Sequence, residues 1–159
     1  MKATKWKSYS LALIAGMSVL TACSSDDNND NGGNGNNGNG NEIENGTTLK
    51  GTITSDVTLT AGSTYKLSGE YIVEDGATLN IEAGVKIISI YDDIVDYILV
   101  KQGGKINAVG TSSAPIVMTS EKEEPGAWGG IHICGKAHTN AEGGKGSSEI
   151  GGATYGGND

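Results

Sequence analysis

Residues 57–84 read VTLTAGSTYKLSGEYIVEDGATLNIEAG, and the fold turns on how this stretch is read. Short runs rich in Thr, Val, Leu, Ile and Tyr alternate with glycine turns: Val57 to Thr60, Tyr65 to Leu67, Tyr71 to Val73 and Thr78 to Ile81. Ala61-Gly62, Asp75-Gly76 and Ala83-Gly84 punctuate them. No helical spacing persists over a useful length, so the texture is that of short strands. The stretch also repeats itself, because Val57-Thr-Leu-Thr-Ala-Gly62 returns as Ala77-Thr-Leu-Asn-Ile-Glu-Ala-Gly84. Gly62, Gly84 and Gly104 follow one another at a spacing of roughly 20 residues, the lower end of the range that marks repeat architectures. Such a period points to a solenoid in which each repeat pairs only with its neighbours. The expectation is an all-β, right-handed parallel β-helix.

The same texture extends both ways. Thr52-Ile53-Thr54 lies upstream; Val85 to Ile90, Ile98 to Val100, Lys105-Ile106, Ile116 to Met118 and Ile131 to Ile133 lie downstream. Further turns fall at Gly103-Gly104 and Pro125-Gly126. The chain contains no Phe, which suits a narrow interior of small aliphatic residues. The alternative architecture is a β-sandwich, for which Asp75-Gly76 is a candidate hairpin turn.

Residues 68–135 include SGEYIVEDGATLNIEAGVKI, ILVKQGGKINAVGTSSAPIVMTS and PGAWGGIHICG. The order of these motifs resembles Bacteroidota surface or secreted lipoproteins of parallel β-helix character, and the resemblance covers residues 50–157. It implies a fold and a compartment but no chemistry. Members of that family continue for further coils beyond a segment like GGATYGGND, residues 151–159 here. The chain therefore looks like an N-terminal portion of such a protein.

The N-terminus carries an address. Lys2, Lys5 and Lys7 precede the apolar run LALIAGMSVL at residues 11–20, then Thr21, Ala22 and Cys23. A charged segment, a short apolar run and small residues form a secretory signal, residues 1–22, too short to be an ordinary membrane span. Leu20-Thr21-Ala22-Cys23 resembles the bacterial lipobox, which implies lipidation of Cys23 and partnership with a membrane through that anchor. Ser24-Ser25-Asp26-Asp27 resembles the surface-export signal of Bacteroidota lipoproteins. The expected address is the outer membrane with the domain on the cell surface, a periplasm-facing domain being the alternative. Residues 24–41, SSDDNNDNGGNGNNGNGN, hold no apolar side chain and cannot offset chain entropy, so 23–42 is expected to be the lipid-bearing Cys and a disordered tether.

Eleven Lys and no Arg stand against 19 acids, a net charge of −8. That balance argues against nucleic acid, whose phosphates attract basic patches. Of the two Cys, Cys134 is the one outside the lipobox. His132, Cys134 and His138 could offer three ligands, but a structural zinc site wants four at other spacings. No metal and no cofactor is expected. Asp92, Asp93 and Asp96 could act as paired carboxylates on a polysaccharide; the blander reading, preferred here, is a solvated loop. Glu121, Glu123 and Glu124 read as an acidic turn. Trp128, Tyr91 and Tyr97 are the candidate ligand contacts, since aromatic rings stack on sugars; Trp128 could instead cap the core between Gly126 and Gly129. No Ser-His-Asp order, phosphate loop or HExxH motif is present.

The expected organisation is a β-helix-like domain over 43–135 and a weakly ordered glycine-rich tail over 136–159. The expected role is a non-catalytic surface module binding a glycan or a surface protein. Alternatives are a polysaccharide-cleaving enzyme or its remnant, and a structural stalk.

Overall fold

The computed structural model describes residues 41–157. The signal segment, Cys23 and the tether up to residue 40 lie outside the described residues.

The first ten strands wind as successive coils of a solenoid. β1 (Asn41–Ile43), β3 (Val57–Leu59), β5 (Thr78–Ile81) and β8 (Lys105–Ala108) form one sheet in that order, here called sheet A. The remaining strands are β2 (Thr48–Ile53), β4 (Thr64–Val73), β6 (Lys86–Ser89), β7 (Tyr97–Val100), β9 (Val117–Ser120) and β10 (Gly130–Ile133). Every pairing among these strands is parallel. Parallel strands need a crossover between them, and here each crossover is one turn of the solenoid. The architecture is a parallel β-helix, and the sandwich reading is set aside. Asp75-Gly76 closes a coil corner, where Ala77 N–H donates to Glu74 O at 3.1 Å, instead of a hairpin.

The sequence suggests two strands where β4 is one, bent at Gly69 (φ 69°). Its first half pairs with β6 and its second half with β7. β2 is bent in the same way, its register shifting between Leu49 and Gly51. Three columns of strands therefore surround one interior. Leu59, Leu79 and Ile81 enter it from sheet A; Leu49, Tyr65, Leu67 and Ile87 from the second column; Tyr71, Val73, Ile98 and Val100 from the third. Alternate side chains on each strand point inward, which gives the period-two burial of Val57–Leu59 and Thr78–Ile81.

The coils are unequal. Thr58 lies against Asn80 and Asn80 against Asn107, so the coil that ends at Asn107 is the longer of the two. In that coil the added length sits in loop 90–96, between β6 and β7; loops 109–116 and 121–129 belong to the coil that follows. The interval from Gly84 to Gly104 is not a true repeat, because it joins two different corners: Gly84 stacks under Gly62, whereas Gly103 stacks under Gly76.

Residues 136–157, expected to be weakly ordered from their composition, fold into a 3₁₀ turn (Glu142–Gly144) and an antiparallel hairpin of β11 (Lys145–Ser147) and β12 (Thr154–Gly156). The physical reason is a second apolar cluster outside the solenoid. Tyr97, Leu99, Cys134 and Ala153 are buried together, with Ile72, Ile150 and Tyr155 packed against them. The hairpin lies over the outer face of the third column, not across the end of the coil stack. Gln102 Nε2 donates to Gly135 O (2.8 Å) and Gly156 O (2.7 Å), holding both ends of the segment.

Candidate functional site

The sequence candidates are scattered by the fold. Tyr97 is buried, and its hydroxyl donates to Glu70 Oε2 at 2.9 Å. Burial first, then the neighbouring carboxylate, raises its pKa. As a sugar-stacking surface Tyr97 is therefore corrected, because its ring serves the outer apolar cluster. Trp128 is half-buried and packs against the main core, the capping role weighed for it. Its neighbour Gly129 sits so close to Asp96 O that an added Cβ would stand at 3.0 Å. Tyr91 is exposed, with the Lys122 ammonium 4.8 Å from its ring centroid.

Asp96 is also corrected. It is 1 % exposed, unlike Asp92 and Asp93, which stay in solvent. Its carboxylate accepts from the Gly69 N–H and from Ser89 Oγ at 2.7 Å. Loop 90–96 joins β6 of the second column to β7 of the third, and Asp96 ties that corner to the bend in β4. Its role is to satisfy buried donors, which a loop residue on a solvated face would not do.

His132 and Cys134 share the outer face, as their spacing implies. His132 Nε2 lies 3.0 Å from Gly129 O, and Nδ1 lies 3.5 Å from Ser148 Oγ. Cys134 is 5 % exposed under the hairpin, and burial raises its thiol pKa. Among the described residues no three His, Cys, Asp or Glu side chains cluster as metal ligands.

What the fold does assemble is an open groove of about 740 Å³ along the outside of sheet A. Successive coils place Glu42, Thr58, Asn80 and Asn107 side by side in strict register. Adjacent coils lie about 4.8 Å apart, so the ladder spans about 14 Å. Asp56 and Thr78 line one side, Ala61, Glu82 and Val109 the other. Two of the carboxylates are fixed by backbone donors: Thr78 N–H to Asp56 Oδ1 and Ala61 N–H to Glu82 Oε2, each 2.8 Å. The groove thus offers amides, hydroxyls and carboxylates on a rigid support. Among the described residues its lining holds the carboxylates of Glu42, Asp56 and Glu82, with no cation and no aromatic ring.

Sequence reasoning missed this site, although the chain carries its signal. Val57-Thr58-Leu59, Leu79-Asn80-Ile81 and Ile106-Asn107-Ala108 each hold one polar residue between apolar ones. The flanking residues stack inward, so the polar one must face out at the same height in every coil.

The sequence matches the family described as the pectate-lyase-like beta helix domain over residues 51–159. No curated protein and no solved structure matches it significantly.

Proposed function

The chain belongs to the pectate-lyase-like β-helix domain family, and on that premise we propose that it is a non-catalytic binding module whose groove on sheet A takes a neutral glycan. The observation that carries this reading is the in-register ladder Glu42–Thr58–Asn80–Asn107. Its step of about 4.8 Å is close to the length of one sugar unit in an extended chain, so three or four units would each meet a polar side chain, a carboxylate, a hydroxyl or an amide, at successive coils. Asn supplies both a donor and an acceptor, which is what a sugar hydroxyl pairs with.

Charge selects within the class. Glu42, Asp56 and Glu82 repel a uronate chain, and the protein has no Arg with which to neutralise one. The lipobox-like Leu20 to Cys23 supports a lipid anchor at Cys23 and an outer-membrane address, and the acidic residues behind the Cys support a domain facing the cell surface.

The test is a binding panel of neutral gluco-, manno- and xylo-oligosaccharides of four to six units beside oligogalacturonates of equal length. The expected result is binding confined to neutral chains. Preference for the uronate series would reverse the assignment.

A further inference from the structure

A ligand that offers hydroxyls alone would leave two features of the sheet A groove without a counterpart. One is a pair of free amides. Asn80 and Asn107 stand one coil apart on the outer face, and among the described residues neither side-chain amide has a hydrogen-bond partner. The other is an apolar flank. Ala61 follows β3, Ala83 follows β5 and Val109 follows β8, so three successive coils each set one apolar side chain on the same side of the groove. The side before the strands holds Asp56 and Thr78 instead. Val109 is the largest member of the flank and is exposed. It lies two residues from Asn107, about 7 Å along the chain, and Ala108 between them shares the inward column of Ile81.

We propose that the groove takes chains of N-acetylated hexosamine, whose acetamido groups lie between the asparagines and the apolar flank. The inference rests on the neutral-glycan reading and narrows it. An acetamido group carries an N–H donor, a carbonyl acceptor and a methyl. An asparagine amide supplies the matching acceptor and donors. The flank supplies the surface that takes the methyl out of water. Other substituents match only part of this arrangement. A hydroxyl brings no methyl to Val109. A carboxylate meets the like charges of Glu42, Asp56 and Glu82. A free amine pairs with those carboxylates and leaves the apolar flank uncovered.

The experiment is calorimetric titration of the full chain with chitohexaose, cellohexaose and the fully deacetylated glucosamine hexamer. The three share one backbone and differ in bearing acetamido, hydroxyl or ammonium at the same ring position. The expected result is binding of chitohexaose about tenfold tighter than of cellohexaose, from one buried methyl and one added hydrogen bond. Val109→Ser should cut that ratio to about threefold or less, whereas Val109→Leu, which keeps the flank apolar, should retain it. Val109 is exposed, so circular dichroism should show both variants folded. Equal affinity for chitohexaose and cellohexaose would overturn the inference and leave the neutral-glycan reading standing. A preference that survives Val109→Ser, or tightest binding of the deacetylated hexamer, would overturn it too. Binding of neither neutral hexamer would also overturn it, and the manno- and xylo-oligosaccharides then decide the glycan reading itself.

Discussion

Tyr71 carries its hydroxyl into the core, and among the described residues that oxygen has no hydrogen-bond partner. Burial pushes its pKa up to about 12 from 10. The folded protein holds the neutral phenol, so the stability tied to this group is complete below about pH 10 and is lost as pH rises toward 12. The loss amounts to about 2–3 kcal/mol. Tyr71→Phe removes an unpaired buried hydroxyl and should raise stability in urea at pH 7 by about 1 kcal/mol. It should also flatten the decline between pH 10 and 12; a destabilised Tyr71→Phe protein would show that the hydroxyl has a partner. Asp96 is the opposite case. Asp96→Ala strands the Gly69 N–H and the Ser89 hydroxyl, at a cost of about 2–4 kcal/mol, whereas Asp96→Asn keeps one acceptor and should lose less. Equal urea midpoints for Asp96→Ala and the parent would contradict that role. Neither residue's part is visible in sequence: Tyr71 looks like any strand tyrosine, and Asp96 looks like the third carboxylate of an exposed Asp-rich loop. Both depend on which side of a bent strand faces a neighbouring coil.

The strands themselves are legible in the chain, because alternation and glycine corners are local. Their grouping is less so. The bend at Gly69 keeps β4 continuous across a corner where the sequence suggests two strands, and the inserted loop 90–96 makes the coil from Asn80 to Asn107 longer than the one from Thr58 to Asn80. The hairpin β11–β12 escapes the sequence reading for a different reason. Glycine-rich chain looks costly to order, yet Ala153, Ile150 and Tyr155 find Leu99 and Tyr97 waiting on the outer face, a partnership no local pattern reveals. Cys134 reports on it. In a Cys23→Ser background, thiol labelling of native protein should be slow, since the thiol is buried and its pKa raised. Gln102→Ala frees the backbone oxygens of Gly135 and Gly156 and should speed labelling about tenfold. Labelling as fast as in unfolded chain, in the parent, would mean that the hairpin does not cover the outer face.

Across the whole molecule, the domain supplies the fold and the leader supplies the proposed address. Cys23→Ser should move the protein from the membrane to the soluble fraction and leave its leader uncut by lipoprotein processing; membrane fractionation with a size comparison reads both. The choice of ligand class rests on sheet A, where the groove is acidic, polar and stepped at the coil spacing. Calorimetric titration of the neutral tetra- to hexasaccharides into the parent and into Asn80→Ala/Asn107→Ala tests that claim most directly. Both asparagines are outward-facing, so the pair of changes should leave the stability in urea within about 0.5 kcal/mol of the parent. The expected result is micromolar to millimolar binding to the parent, weakened at least tenfold in the double variant. Binding of equal strength to both proteins, or binding to oligogalacturonate alone, would contradict it.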